Sequence, residues 1–268
     1  MGSTNAGNAG AGGGTILETE GLTKEFRGFV AVADVALKVR RGTIHGLIGP
    51  NGAGKTTCFN LLTKFLPPTR GVIRYDGRDI TRMKPAEVAR LGLVRSFQIS
   101  AVFPNLTVLE NVRLALQRER GGSFDFWRSD AVLSRYDDRA RALLEDVALT
   151  EYADSQAGQL PYGRKRALEI ATTLALDPVM MLLDEPTAGM THEDVDLVVA
   201  LIRRVSKGRT VLLVEHNLKV VEGLCDHITV LARGEVLAQG DYASVSRNAD
   251  VQAAYLGTDP TFQESAHG

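Results

Sequence analysis

The sequence predicts an α/β fold: a mostly parallel sheet around a phosphate loop, with an antiparallel β subdomain before it and a helical subdomain inserted into it. Three observations carry that reading. The octet Gly49-Pro50-Asn51-Gly52-Ala53-Gly54-Lys55-Thr56 lies between an apolar run and a helical pattern, as a strand, a phosphate loop and a helix would. After Gly163, short apolar runs alternate with helical stretches, the texture of strands covered on both faces. From about residue 105 to 160 the pattern is helical and charged.

Each element follows in order. Residues 1–14 are almost all Gly, Ala, Asn, Ser and Thr, which cannot bury apolar surface, so a disordered tail is expected. Ile16–Thr19 and Val30–Val39 alternate as antiparallel strands do, and lead to an apolar strand over Thr43–Ile48. In the loop after it, glycines let the backbone curl so that successive N–H groups face phosphate oxygens. Lys55 suits the β and γ phosphates and the Thr56 hydroxyl suits Mg²⁺. Thr57–Leu66 is helical and stops at Pro67-Pro68. Val72–Tyr75 before Asp76-Gly77 reads as a hairpin strand. Thr107 is a candidate N-cap with Glu110 at capping-box spacing. Gly121-Gly122-Ser123 breaks that helix, and Arg135–Val147 is amphipathic.

The body resumes with a helix over Arg164–Ala175, a buried strand over Val179–Leu183 and a helix over Val195–Val205. A strand over Thr210–Val214, a helix over Leu218–Leu224 and a hairpin through Arg233-Gly234 complete it. The expected organisation is a discontinuous core of residues 15–98 and 165–257, a helical subdomain over 99–164, and a flexible tail over 258–268.

Composition narrows the class. With 31 basic and 32 acidic residues the formal charge is −1, so nothing draws the chain toward nucleic acid or anionic lipid. No apolar run reaches the roughly 18 to 20 residues that span a bilayer, and the first residues lack a signal peptide's basic and apolar regions. A cytoplasmic protein is expected, held at a membrane only by another chain. Cys58 and Cys225 have no metal-ligand spacing and read as structural, although His227 lies near Cys225.

Four later features extend the phosphate site. Asp184 and Glu185 end an apolar strand, where ligands gather in open α/β sheets. Asp184 suits Mg²⁺ through water, and Glu185 suits a general base toward the attacking water. A lone His after a strand is more often a satisfied surface or core residue, but His216 follows a second sheet strand, a position that would aim it at the γ-phosphate. Gln98, in Arg95-Ser96-Phe97-Gln98, carries little signal alone. Leu160-Pro161-Tyr162-Gly163-Arg164 precedes a helix, as an ordinary cap or a second phosphate contact.

In this order, these residues resemble the ATP-binding cassette (ABC) family over about residues 15–257. The resemblance implies an ABC-type phosphate-loop ATPase core and a set of roles. Phe26 would stack on adenine. Gly49, Pro50, Asn51, Gly52, Ala53, Gly54, Lys55, Thr56 and Thr57 would hold the triphosphate of ATP. Thr56, Gln98 and Asp184 would serve Mg²⁺. Glu185 would be the base, and Gln98 and His216 would address the attacking water and γ-phosphate. Tyr162 and Gly163 would belong to the signature loop that caps ATP on a second subunit. The chain departs from the usual Leu-Ser-Gly-Gly-Gln there: Pro161, Tyr162 and Arg164 replace Ser, Gly and Gln. Pro161 offers neither hydroxyl nor N–H, so weaker closure on ATP is expected. Ala188-Gly189-Met190-Thr191 also lacks the acid usual in the family's interface loop.

Within the family, Arg95–Gln98, Tyr162–Ala171, Val214–Asn217 and Ala254–Gly257 are similar to the ATPase subunit of branched-chain amino acid importers. That implies transmembrane permease subunits, a second ATPase subunit that is a different chain or a copy of this one, and a binding protein acting indirectly. It places the chain on the inner face of the membrane. ATPases for urea, other amino acids or lipopolysaccharide export share much of the pattern. A soluble cassette ATPase acting on nucleic acid or ribosomes fits less well, since the chain has one cassette, no sustained heptads and no basic surplus.

Overall fold

A computed structural model describes residues 14–96, 102–117 and 136–256. Two sheets form the body. The first is antiparallel: β1 (Thr15–Phe26), β2 (Phe29–Val35), β3 (Lys38–Arg40), β5 (Arg70–Tyr75) and β6 (Arg78–Asp79), in the order β2-β1-β5-β6 with β3 also beside β1. The second joins β4 (Ile44–Ile48), β7 (Leu93–Arg95), β8 (Met180–Asp184), β9 (Thr210–Val214), β10 (His227–Ala232) and β11 (Glu235–Gly240), in the order β11-β10-β4-β9-β8-β7. Its pairings are parallel except the β10–β11 hairpin.

The central parallel strands are mostly apolar because both faces are covered. All five residues of β4, of β8 and of β9 are buried. Their alternation assigns each face to its own core. Met180, Leu182, Leu212 and Val214 join the antiparallel sheet and the helix α1 (Lys55–Leu62). Met181, Leu183, Val211 and Leu213 join a core with α3 (Val108–Gln117), α4 (Asp137–Asp146), α5 (Tyr162–Leu174) and α6 (His192–Val205). The helical segment thus shares one continuous core with the underside of the sheet.

Most expected elements are present, with boundaries moved for physical reasons. The capping box at α3 is formed: the Glu110 N–H donates to Thr107 Oγ1 at 3.1 Å, and the Thr107 N–H donates to Glu110 Oε2 at 2.6 Å. The expected strand Val30–Val39 is two strands, β2 and β3, which take different stretches of β1. Strand β1 serves both because it is long: β3 pairs with Thr15–Glu18 and β2 with Leu22–Phe26. Helix α6 starts three residues earlier than its apolar periodicity, since Thr191 caps it through the Asp194 N–H at 3.3 Å. Helix α2 (Pro85–Arg90), α7 (Leu218–Leu224) and the C-terminal α8 (Tyr242–Ser246) and α9 (Ala249–Leu256) complete the described chain. Of these only α7 is apparent in the sequence pattern. Among the described residues, no helix is long and apolar enough to cross a membrane.

Candidate active site

The phosphate loop leaves β4 at Ile48 and enters α1 at Lys55. Its shape is fixed by close backbone neighbours. A Cβ on Gly49, at φ 151°, would stand 2.1 Å from the Leu231 carbonyl oxygen of β10. A Cβ on Gly54, at φ 96°, would stand 2.5 Å from the Ala31 carbonyl oxygen of β2. Only glycine fits either place. No side chain caps α1, so its first N–H groups are open to an anion, with Thr56 exposed beside them. The buried Lys55 folds back on the loop, donating to the Gly49 carbonyl at 2.6 Å and the Pro50 carbonyl at 3.1 Å. Burial lowers its pKa, while the charges of Glu185 and Asp184 oppose that. An ammonium satisfied only by carbonyls, beside uncapped N–H groups, fits a polyphosphate that would replace those carbonyls.

Facing the loop, β8 delivers two carboxylates with different surroundings. Asp184 is 3 % exposed and ion-paired with Arg95, whose Nη2 lies 2.7 Å from Oδ2. Burial raises the Asp184 pKa, and the Arg95 charge and hydrogen bond pull it down. Its backbone carbonyl accepts from Arg166 Nη2 at 3.0 Å. Glu185 turns out of the strand at φ 43°, a left-handed conformation that costs an L-residue about 1–2 kcal/mol. Its N–H donates to the Val214 carbonyl at 2.9 Å, which secures the turn. The Glu185 carboxylate itself is half-buried, with His216 Nδ1 at 4.0 Å.

Glu215 builds the other side. It is wholly buried, and Oε1 accepts the Thr187 hydroxyl at 2.5 Å and the Thr187 N–H at 3.1 Å. Oε2 accepts the His216 and Asn217 N–H groups at 3.1 and 3.3 Å. The segment after Glu185 and the segment carrying His216 are thereby tied together.

The structure brings Lys55, Asp184, Glu185 and His216 together: the charges of both acids act on Lys55, and His216 Nδ1 lies 4.0 Å from Glu185 Oε1. Phe26 is exposed at the end of β1, where the hairpin into β2 brings it beside the chain that abuts Gly54; Lys24 Nζ lies 5.1 Å from its ring centre. Tyr162 and Gly163 open α5 rather than joining the phosphate loop. Tyr162 is 59 % exposed, with its hydroxyl donating to the Ala188 carbonyl at 3.4 Å, and Gly163 is buried. Gln98 lies outside the described residues. Arg95, Arg166, Thr187 and Glu215 are structural parts of the site that the sequence pattern did not single out by role. The neighbouring motif residues were the only signal.

A site of this kind takes the triphosphate end of a nucleotide, which makes the protein a phosphate-loop nucleotide-binding ATPase by class. The comparisons agree. A family model described as ABC transporter matches residues 32–188, and one described as branched-chain amino acid ATP-binding cassette transporter matches residues 235–261. A high-affinity branched-chain amino acid transport ATP-binding protein, BraF of Pseudomonas aeruginosa, is 42 % identical over 252 residues, covering 90 % of this chain and 98 % of that one. The corresponding LivG of Escherichia coli is 38 % identical, with 90 % and 98 % covered. The crystal structure of an ATP-binding cassette in its ADP conformation superposes with a TM-score of 0.78 at 31 % identity, covering 91 % of this chain and 99 % of that one. A dimeric cassette bound to ADP and Pi gives 0.70 at 25 % identity, with 85 % and 99 % covered. The chain belongs to the ABC transporter family, and it is an ATPase.

Proposed function

We propose that the chain is the motor subunit of a branched-chain amino acid importer, hydrolysing ATP with Mg²⁺ on the inner face of the membrane. The observation that carries the catalytic part is the division of labour between two adjacent acids. Asp184 is buried and charge-paired, whereas Glu185 is turned outward beside His216. A carboxylate so placed is free to take a proton from water. In this reading Gly49 to Thr57 bind the phosphates, with Lys55 leaving its loop carbonyls for them. Thr56, Asp184 and Gln98 would hold Mg²⁺, which when bound would supply positive charge that offsets the charge of the triphosphate. Glu185 accepts the proton as water oxygen bonds to the γ-phosphorus and the bond to the bridging oxygen breaks, giving ADP and phosphate. His216 and Gln98 orient the water and γ-phosphate, and Phe26 stacks on the base.

Tyr162 and Gly163 would close on ATP held by a second ATPase subunit, the reading supported by the dimeric relative. The cargo and the permease partners are supported by the C-terminal family match and the named relatives. The test is ATPase activity of the complex reconstituted with the permease and ATPase subunits encoded beside it. Leucine-loaded binding protein should stimulate it, and Glu185→Gln should remove about 10²–10⁴-fold of the rate. Hydrolysis indifferent to leucine would refute the cargo, and failure to join any permease would refute the transport role.

A further inference from the structure

Arg95 ends β7, the edge strand of the parallel sheet, and is 13 % exposed. Its guanidinium is held by two hydrogen bonds and two aromatic rings. Nη1 donates to Asn60 Oδ1 of α1 at 2.6 Å, and Nη2 donates to Asp184 Oδ2 at 2.7 Å. The cation also lies 4.8 Å from the ring centre of Phe59 and 5.5 Å from that of Phe65. This is a built site for one cation, joining the helix that follows the phosphate loop to the end of the strand carrying both acids. Planarity, two donors in a fork and weak hydration are what such a place selects.

The consequence is electrostatic. A carboxylate buried without a counter-charge is costly, so Asp184 needs a partner when no metal is present. With a full positive charge on one of its oxygens, Asp184 also attracts a second cation less strongly. We propose that Arg95 is a positioning residue that stands in for the metal at Asp184: it stabilises the metal-free site and raises the Mg²⁺ concentration needed to load nucleotide. The inference rests on the reading of Asp184 as a Mg²⁺ residue. The two roles predict opposite signs when the charge is removed, which a purely structural role does not.

The experiment uses the full chain with Arg95→Met, Arg95→Gln and Arg95→Lys. Gln keeps an N–H for Asp184 and guards against misfolding of the Met variant. Two quantities are read: the melting temperature without Mg²⁺, and the Mg²⁺ concentration giving half-maximal binding of a fluorescent non-hydrolysable ATP analogue. The neutral variants should melt lower, by roughly 5 °C or more for Met, yet need about fivefold less Mg²⁺. Arg95→Lys keeps the charge and should need nearly the wild-type concentration. A Mg²⁺ requirement that is unchanged or higher in the neutral variants overturns the proposal. If the wild-type chain binds the analogue equally well without Mg²⁺, the assignment of the metal site fails instead.

Discussion

Glu215 accepts four donors with its two buried oxygens, two from Thr187 and two from the N–H groups of His216 and Asn217. An amide in its place would turn one oxygen into a donor facing at least one fixed backbone N–H, whichever way it sat. Glu215→Gln should therefore cost about 2–3 kcal/mol in urea unfolding and lower the ATPase rate, because His216 and the Glu185 turn lose a shared anchor. Full stability would mean that the segments are held elsewhere. Residues such as Glu215 mark how much of the site was legible. Lys55, Asp184 and Glu185 stand in local patterns whose chemistry reads directly. Arg95 meets Asp184 across 89 positions and Thr187 meets Glu215 across 28, and no local pattern encodes a pairing that the folded sheet creates.

Elements were legible where one period dominated. Strands β4, β8 and β9 read as apolar runs because helices and the antiparallel sheet cover both faces. Helix α2 and strand β7 leave no pattern in the sequence because six and three residues are too few to show a period. The pairing of β4 with β10 brings two histidines together, His45 and His227, with ring centres 5.1 Å apart. His45 Nε2 lies 2.9 Å from Thr229 Oγ1. Burial, then the nearby His227 and Arg40, lower the His45 pKa from 6.5 to about 3. This is a base whose folded pKa is depressed, so below 6.5 the unfolded chain binds the extra proton. Its contribution to stability is present above pH 6.5 and declines as pH falls toward about 3. Between about pH 6.5 and 5.5 the loss should be about 1 kcal/mol. His45→Gln, which can still bond Thr229, should flatten that slope in paired urea titrations. An equal slope in both proteins would show that His45 does not set it.

At the scale of the whole molecule, the proposed reading gives one chain two tasks: the loop, the acids and His216 would serve one nucleotide, and the segment opening α5 would serve another on a second subunit. Arg166 on α5 bonds the Asp184 carbonyl, so the helix that would meet the second subunit is mechanically joined to the strand that carries the acids. Pro161 is the N-cap of α5 at φ −55° and ψ 156°, and no side chain caps that helix. The first N–H groups of α5 thus have no side-chain cap, the Asp194 carboxylate stands beside Gly163 there, and Pro161 adds no hydroxyl of its own. Serine can adopt the same backbone angles, could cap the helix for about 1 kcal/mol and would present an O–H to a phosphate. Pro161→Ser should raise the ATPase rate of the assembled complex. It should leave the nucleotide affinity of the isolated chain unchanged, because the segment would act on the neighbour's ATP rather than on its own. A higher rate in the complex with unaltered affinity in the single chain would locate the effect at closure between subunits. An unchanged or slower complex would mean that the backbone N–H groups of α5 already supply what closure needs.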